Sequence, residues 1–183
     1  QWTFESPNNP AGATAATYPN AIAPAVGSGN AGGVHTSAST AWSTPVGNGS
    51  PASFSSNNWS VGNYYQFRTS TAGFTGISVS WDQTGSGTGP RDFKLAYSTD
   101  GVNFTDFYPY SLPSPAVSWG SGSTSNSTKF SSDLSSVTAL DNQTNISWNF
   151  NPSRFSGGRS DGAICRKTSM LAPFTPMANS DTL

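Results

Sequence analysis

The stretch Asp92-Phe-Lys-Leu-Ala-Tyr-Ser-Thr-Asp-Gly-Val-Asn-Phe-Thr-Asp-Phe107 decides the fold. Phe93, Leu95 and Tyr97 fall on alternate positions with Lys94 between them, the period of a strand with one buried face. Ser98-Thr-Asp-Gly101 then carries turn chemistry: the Asp100 carboxylate can accept main-chain N–H groups, and Gly101 can take a positive φ. Asn103–Phe107 is expected to return antiparallel, closing a hairpin.

Outward from this hairpin the same grammar recurs. Thr84-Gly-Ser-Gly-Thr-Gly-Pro90 reads as a loop, and Phe74–Asp82 before it as a strand with Ile77, Val79 and Trp81 on one face and Ser78 and Ser80 on the other. Tyr64–Arg68, Lys129–Leu134 and Asn145–Phe150 read as further strands, the last with Ile146, Trp148 and Phe150 on one side. Trp2-Thr-Phe-Glu5 alternates and is expected to open the domain as a short strand. No apolar stripe at helical spacing appears with caps. The expectation is an all-β antiparallel sandwich, jelly-roll-like, over residues 1–161. Within it, residues 6–33 are expected to be irregular, because Pro7, Pro10, Pro19 and Pro24 interrupt pairing. Residues 162–183 read as a separate tail that holds Cys165, Met170, Met177 and the adjacent bases Arg166 and Lys167.

Composition narrows the function. Only 9% of residues are charged, against about a quarter in an ordinary domain, and the net charge is -1. Ser, Thr, Asn and Gly must therefore keep the surface hydrated, and scattered bases offer no nucleic-acid footprint. No apolar run is long enough for a membrane-spanning helix. The polar, weakly charged surface and a first residue other than Met are the profile expected of a secreted, extracellular chain.

Catalytic constellations are poorly supplied. Glu5 is the single glutamate, and Asp82, Asp100, Asp106 and Asp141 sit where turns or strand ends are expected. His35 and Cys165 are the only residues of their kinds and lie far apart in sequence, so neither a triad nor a zinc site suggests itself. Calcium, which takes oxygen ligands, is the metal the sequence could suit, with Glu5 and Asp161 expected as ligands where the first and last strands would meet. Six Asn-x-Ser/Thr sequons occur, at Asn48, Asn58, Asn103, Asn126, Asn142 and Asn145. Pro51 directly after the Asn48 sequon weakens that one. Trp59, Tyr64, Tyr65 and Trp119 are the aromatic side chains expected to be placed to stack on a sugar ring, with Tyr108 and Tyr110 beside them.

The run Trp81-Asp-Gln-Thr-Gly-Ser-Gly-Thr-Gly-Pro-Arg-Asp-Phe-Lys-Leu-Ala-Tyr-Ser-Thr-Asp-Gly-Val-Asn-Phe104 resembles a β-sandwich domain of secreted bacterial proteins, many of which carry a PEP-CTERM sorting tag. Trp2–Glu5, Asn58–Phe67, Asp133–Ser135 and Ala139–Asn142 extend the resemblance across residues 1–161. It implies a sandwich fold and secretion and brings no catalytic residues. Arg159-Ser-Asp161 fits the expected ending of such a domain, whereas Gly162-Ala-Ile-Cys-Arg-Lys167 departs from it. The chain also resembles subunits of extracellular bacterial filaments. That likeness implies a structural, non-enzymatic role, with copies of the chain joined head-to-tail through their terminal segments. A carbohydrate-binding or adhesive surface module is the alternative expectation.

Overall fold

The computed structural model describes residues 1–5, 13–154, 163–165 and 175–176. Strands are numbered in chain order. One sheet runs β1 (Ala13–Thr14), β4 (Ala41–Ser43), β5 (Phe54–Ser56), β13 (Ala163–Cys165), β8 (Ser78–Gly85) and β11 (Lys129–Asp133). The other runs β10 (Thr105–Ser111), β9 (Asp92–Ser98), β12 (Ile146–Arg154), β6 (Tyr64–Thr69), β3 (Gly29–Val34) and β2 (Thr17–Ile22). A small pair, β7 (Phe74–Thr75) with β14 (Thr175–Pro176), lies apart from both. Every pairing is antiparallel. The chain is an all-β sandwich, as the alternation of its central stretch implies.

The β9–β10 hairpin forms as read. Val102 and Asn103 each donate a main-chain N–H to Asp100 Oδ1 at 2.8 Å, and Asn103 Nδ2 donates to Oδ2 at 2.7 Å. These donors, the Asn103 side chain foremost, hold the Asp100 carboxyl well below the usual carboxylate range. Gly101 takes φ 75°, which leaves room for the chain to reverse. The return strand reaches Ser111, further than expected, with a bulge between Asp106 and Tyr108. Pro109 is tolerated there because β10 is an edge strand.

Aromatic rings join the sheets. Trp81 on β8 meets Phe150 on β12 at 5.2 Å between centroids and stacks on Phe130 of β11 at 5.7 Å. Phe54 on β5 meets Tyr65 on β6 at 5.0 Å. Trp42, Phe54, Tyr65, Phe67, Phe93, Leu95 and Phe150 are all completely buried. With so few charges available, this interlocked layer is the main source of cohesion.

Two expectations need correction. Residues 13–34 are not irregular: they form β1, β2 and β3, and β3 pairs with β6 from Gly29↔Thr69 to Val34↔Tyr64. The strand Gly-Asn-Ala-Gly-Gly-Val carries too few side chains to show alternation. Its bareness has a purpose, since a Cβ on Gly33 would stand 2.6 Å from the Trp42 ring, whose bulk occupies that space. Pro19 falls at a register shift between Tyr18 and Ile22 on edge strand β2. Residues 6–12 lie outside the described residues.

Residues 2–5, conversely, form no strand. Their alternation reports burial only: Trp2 and Phe4 enter the core while Glu5 is exposed. Phe4 has φ 59°, which breaks extension, and the segment is held by Trp2 Nε1 donating to the Ile22 carbonyl at 2.9 Å. Ala25 N–H also donates to the Gln1 carbonyl at 2.7 Å. Replacing Trp81 with Ala should cost about 3–5 kcal/mol, as emptying a large aromatic site does, measured by urea denaturation followed through the remaining tryptophans.

Candidate assembly site

The unusual feature of the first sheet is its middle. β4 and β5 are consecutive in the sheet, as are β8 and β11, but among the described strands these two blocks join the sheet only through β13. Ile164 pairs with Ser55 on one side and Thr84 on the other, and Cys165 with Phe54 and Gln83. With this strand in place, Phe54, Ser55, Ser56, Gln83 and Thr84 on the flanking strands are all buried. The facing main-chain groups of β5 and β8 then have a strand between them to pair with. Three residues supply it.

A cavity of about 380 Å³ opens at one end of the sandwich, lined by Trp2, Val26, Phe74, Ile77, Val79 and Trp148. Trp148 Nε1 is buried without a hydrogen-bond partner. Phe74 belongs to β7, where Pro176 pairs with Phe74 and Thr175 with Thr75. The second piece of the tail therefore reaches the lip of this cavity. Composition marks residues after Asp161 as different, and their strands fall at both features.

The aromatic residues expected to meet sugars do not form a platform. Trp59 is 2% exposed and Tyr65 fully buried, packed edge-on against each other at 4.8 Å. Both serve the core, because Trp59 Nε1 donates to the Ser56 carbonyl at 3.1 Å and anchors its loop inward. Tyr64 is half-buried on β6. Trp119 is half-buried in the loop before β11 and donates Nε1 to Thr128 Oγ1 at 2.8 Å. Tyr110 is buried, and Tyr108, 37% exposed, is the one aromatic among the described residues that is largely open to solvent.

Among the sequons, Asn103, Asn126, Asn142 and Asn145 are exposed. Asn58 is half-buried and spends its Nδ2 on the Ser39 carbonyl at 2.9 Å. Asn48 is buried, donating Nδ2 to Asp82 Oδ2 and to the Ser125 carbonyl, both at 3.0 Å, which leaves no room for a glycan. Of the calcium pair, Glu5 accepts from Ser50 Oγ at 2.7 Å, and Asp161 lies outside the described residues. Among the described residues, no three His, Cys, Asp or Glu side chains gather as a metal site. Nor is any described helix long and apolar enough to cross a membrane.

His35 is a core residue. It lies between Trp42 and Trp59, at centroid distances of 4.9 and 4.4 Å, and its Nε2 shares a hydrogen bond of 3.2 Å with Ser56 Oγ. No family model matches the chain, and no curated protein or solved structure matches it.

Burial pushes the His35 imidazole down to about 4, with the main chain of Asn58 and Asn57 working against that shift. The neutral ring thus stabilises the fold fully above the unfolded value of about 6.5, and this contribution is lost as pH falls from there through about 4. Stability should drop by about 2–3 kcal/mol across that window. His35→Gln should flatten that slope, read from urea denaturation midpoints at successive pH values.

Proposed function

We propose that the chain is a non-enzymatic structural subunit of an extracellular filament or surface layer, joined head-to-tail through its C-terminal segment. The observation that carries this reading is the slot in the middle of the first sheet, filled by a three-residue strand from the far end of the chain. A strand of that length contributes little holding energy beyond its own ladder. The identical ladder forms whether Ala163–Cys165 come from the same molecule or from a neighbour. An exchange that does not close into a ring generates a fibre.

Both terminal segments are expected to join copies. The N-terminal one is now accounted for, since β1–β3, Trp2 and Phe4 pack within the body. Only the C-terminal segment remains as the joining element. The described carboxylates support a non-catalytic role, because several are engaged in shaping turns: Asp100 accepts from Val102 and Asn103, Asp133 from Ser135, and Asp141 from Gly76. The charge-poor surface and the likeness to secreted sandwich domains support an extracellular setting.

Cross-strand cysteines provide the test. Ser55 and Ile164 are register partners, and directly opposed antiparallel positions suit a disulfide. The chain carrying Ser55→Cys, Ile164→Cys and Cys165→Ser should give, after mild oxidation of assembled material, a ladder of covalent multimers on a non-reducing gel that collapses on reduction. A single monomer-sized band with an internal disulfide would overturn the proposal.

A further inference from the structure

The apolar cavity beside β7 is not explained by the slot. We infer that it is a second docking point of the same joint, and that its occupant is the β14 segment of the adjacent copy, with Phe174 and Met177 flanking Thr175–Pro176. The inference rests on the head-to-tail reading for the source of that segment.

Four observations converge on the occupant. The β14 ladder ends on Phe74, and Phe74 is a wall of the cavity, so the segment is already placed at the opening. The lining surface is mostly apolar (Trp2, Val26, Ile77, Val79, Trp148), with Thr69, Ser70 and Thr71 among its polar members, in a chain whose outer surface is kept wet by uncharged polar groups. The residues around β14 match it chemically: Met170-Leu-Ala-Pro-Phe174 and Pro176-Met177 are the most apolar run of the tail. Val26 is 65% exposed, an isolated apolar side chain at the rim that such a segment would cover.

Reach is adequate. Residues 166–174 separate β13 from β14, and nine residues of extended chain span up to roughly 30 Å. One tail can therefore occupy the slot and the cavity together. Two weak attachments on one tether act as a single strong one, since release of either leaves the other holding it close. This explains how strands of three and two residues could sustain a joint.

The test uses full-length chains and the lifetime of multimers after dilution, followed by light scattering. One variant carries Phe174→Asp with Met177→Asp; the other carries Val26→Asp, a rim position whose exposure lets the domain fold. Each alone should disassemble roughly tenfold faster or more than the unmodified chain. Mixed, the two can build one intact cavity joint between them, so dimers with the unmodified lifetime should accumulate. Unchanged lifetimes in both variants, with the cysteine ladder still present, would overturn the cavity assignment and leave the filament reading standing. A shift with Val26→Asp alone would give the cavity to another apolar ligand and overturn it too. Lowered melting temperatures in both variants, with monomers throughout and no dimer on mixing, would place the tail in its own molecule and remove the filament reading as well.

Discussion

A main-chain edge buried in the middle of a sheet has no alternative to another strand, because water cannot reach it and side chains cannot replace a ladder. That constraint governs the first sheet here. β5 and β8 present such edges to each other across a gap one strand wide, and Ala163–Cys165 fill it. The second sheet is different in kind, since all six of its strands lie between Thr17 and Arg154 and need nothing from the tail. The body of the domain is thus complete on one side and dependent on the other.

What holds the two sides together is the aromatic layer. Trp81 touches Phe150 across the core, and Trp42 stacks on Phe54 at 5.4 Å while meeting Tyr65 at 6.2 Å. The same rings explain the bare strand β3. Gly33 beside Trp42 is the complement of that ring's volume, so a stretch that seems too poor to fold is shaped by a neighbour outside the strand. The cost of so many large rings is a set of indole N–H groups that must find acceptors in an apolar layer. Trp2, Trp42 and Trp59 do so through main-chain carbonyls, and Trp81 and Trp148 do not.

The legible part of the fold was the part with period-2 side chains. β6, β8, β9 and β12 could be read because an apolar residue recurs on one face of each, and β11 because Phe130 is followed in register by Leu134 just beyond the strand. β3 could not, since alternation is invisible where the inward residues are Ala31 and Gly33. Trp2–Glu5 produced the opposite error: its alternation was real, but a positive φ at Phe4 set the side chains into the core without any ladder. Of the site, the tail was legible as a change of composition after Asp161. The slot was not, because Phe54-Ser-Ser56 and Ala163-Ile-Cys165 are too short for any period to show. Trp59 and Tyr65 were misplaced for a related reason. Loop-flanking aromatics look available in sequence, and only the crossing of β5 with β6 reveals that they close the core.

Under the proposed assembly, the slot would set the kind of equilibrium the tail enters. Contacts made by β13 are the same from either source, so their energy cancels between the closed monomer and the open chain of copies. What would remain is the closure entropy of the link from β12 to β13 against the local concentration of neighbours, and closure entropy varies only slowly with loop length. Such a balance is easily tipped by a second contact that is better made between copies than within one. Electrostatics do not oppose it, since a net charge of -1 and 9% charged residues give neighbouring domains little reason to repel. A charge-poor, polar surface is therefore more than a solubility device in this chain. Under the proposed assembly it is also the condition under which many copies could lie side by side, with the choice of partner left to one short strand and the apolar residues that follow it.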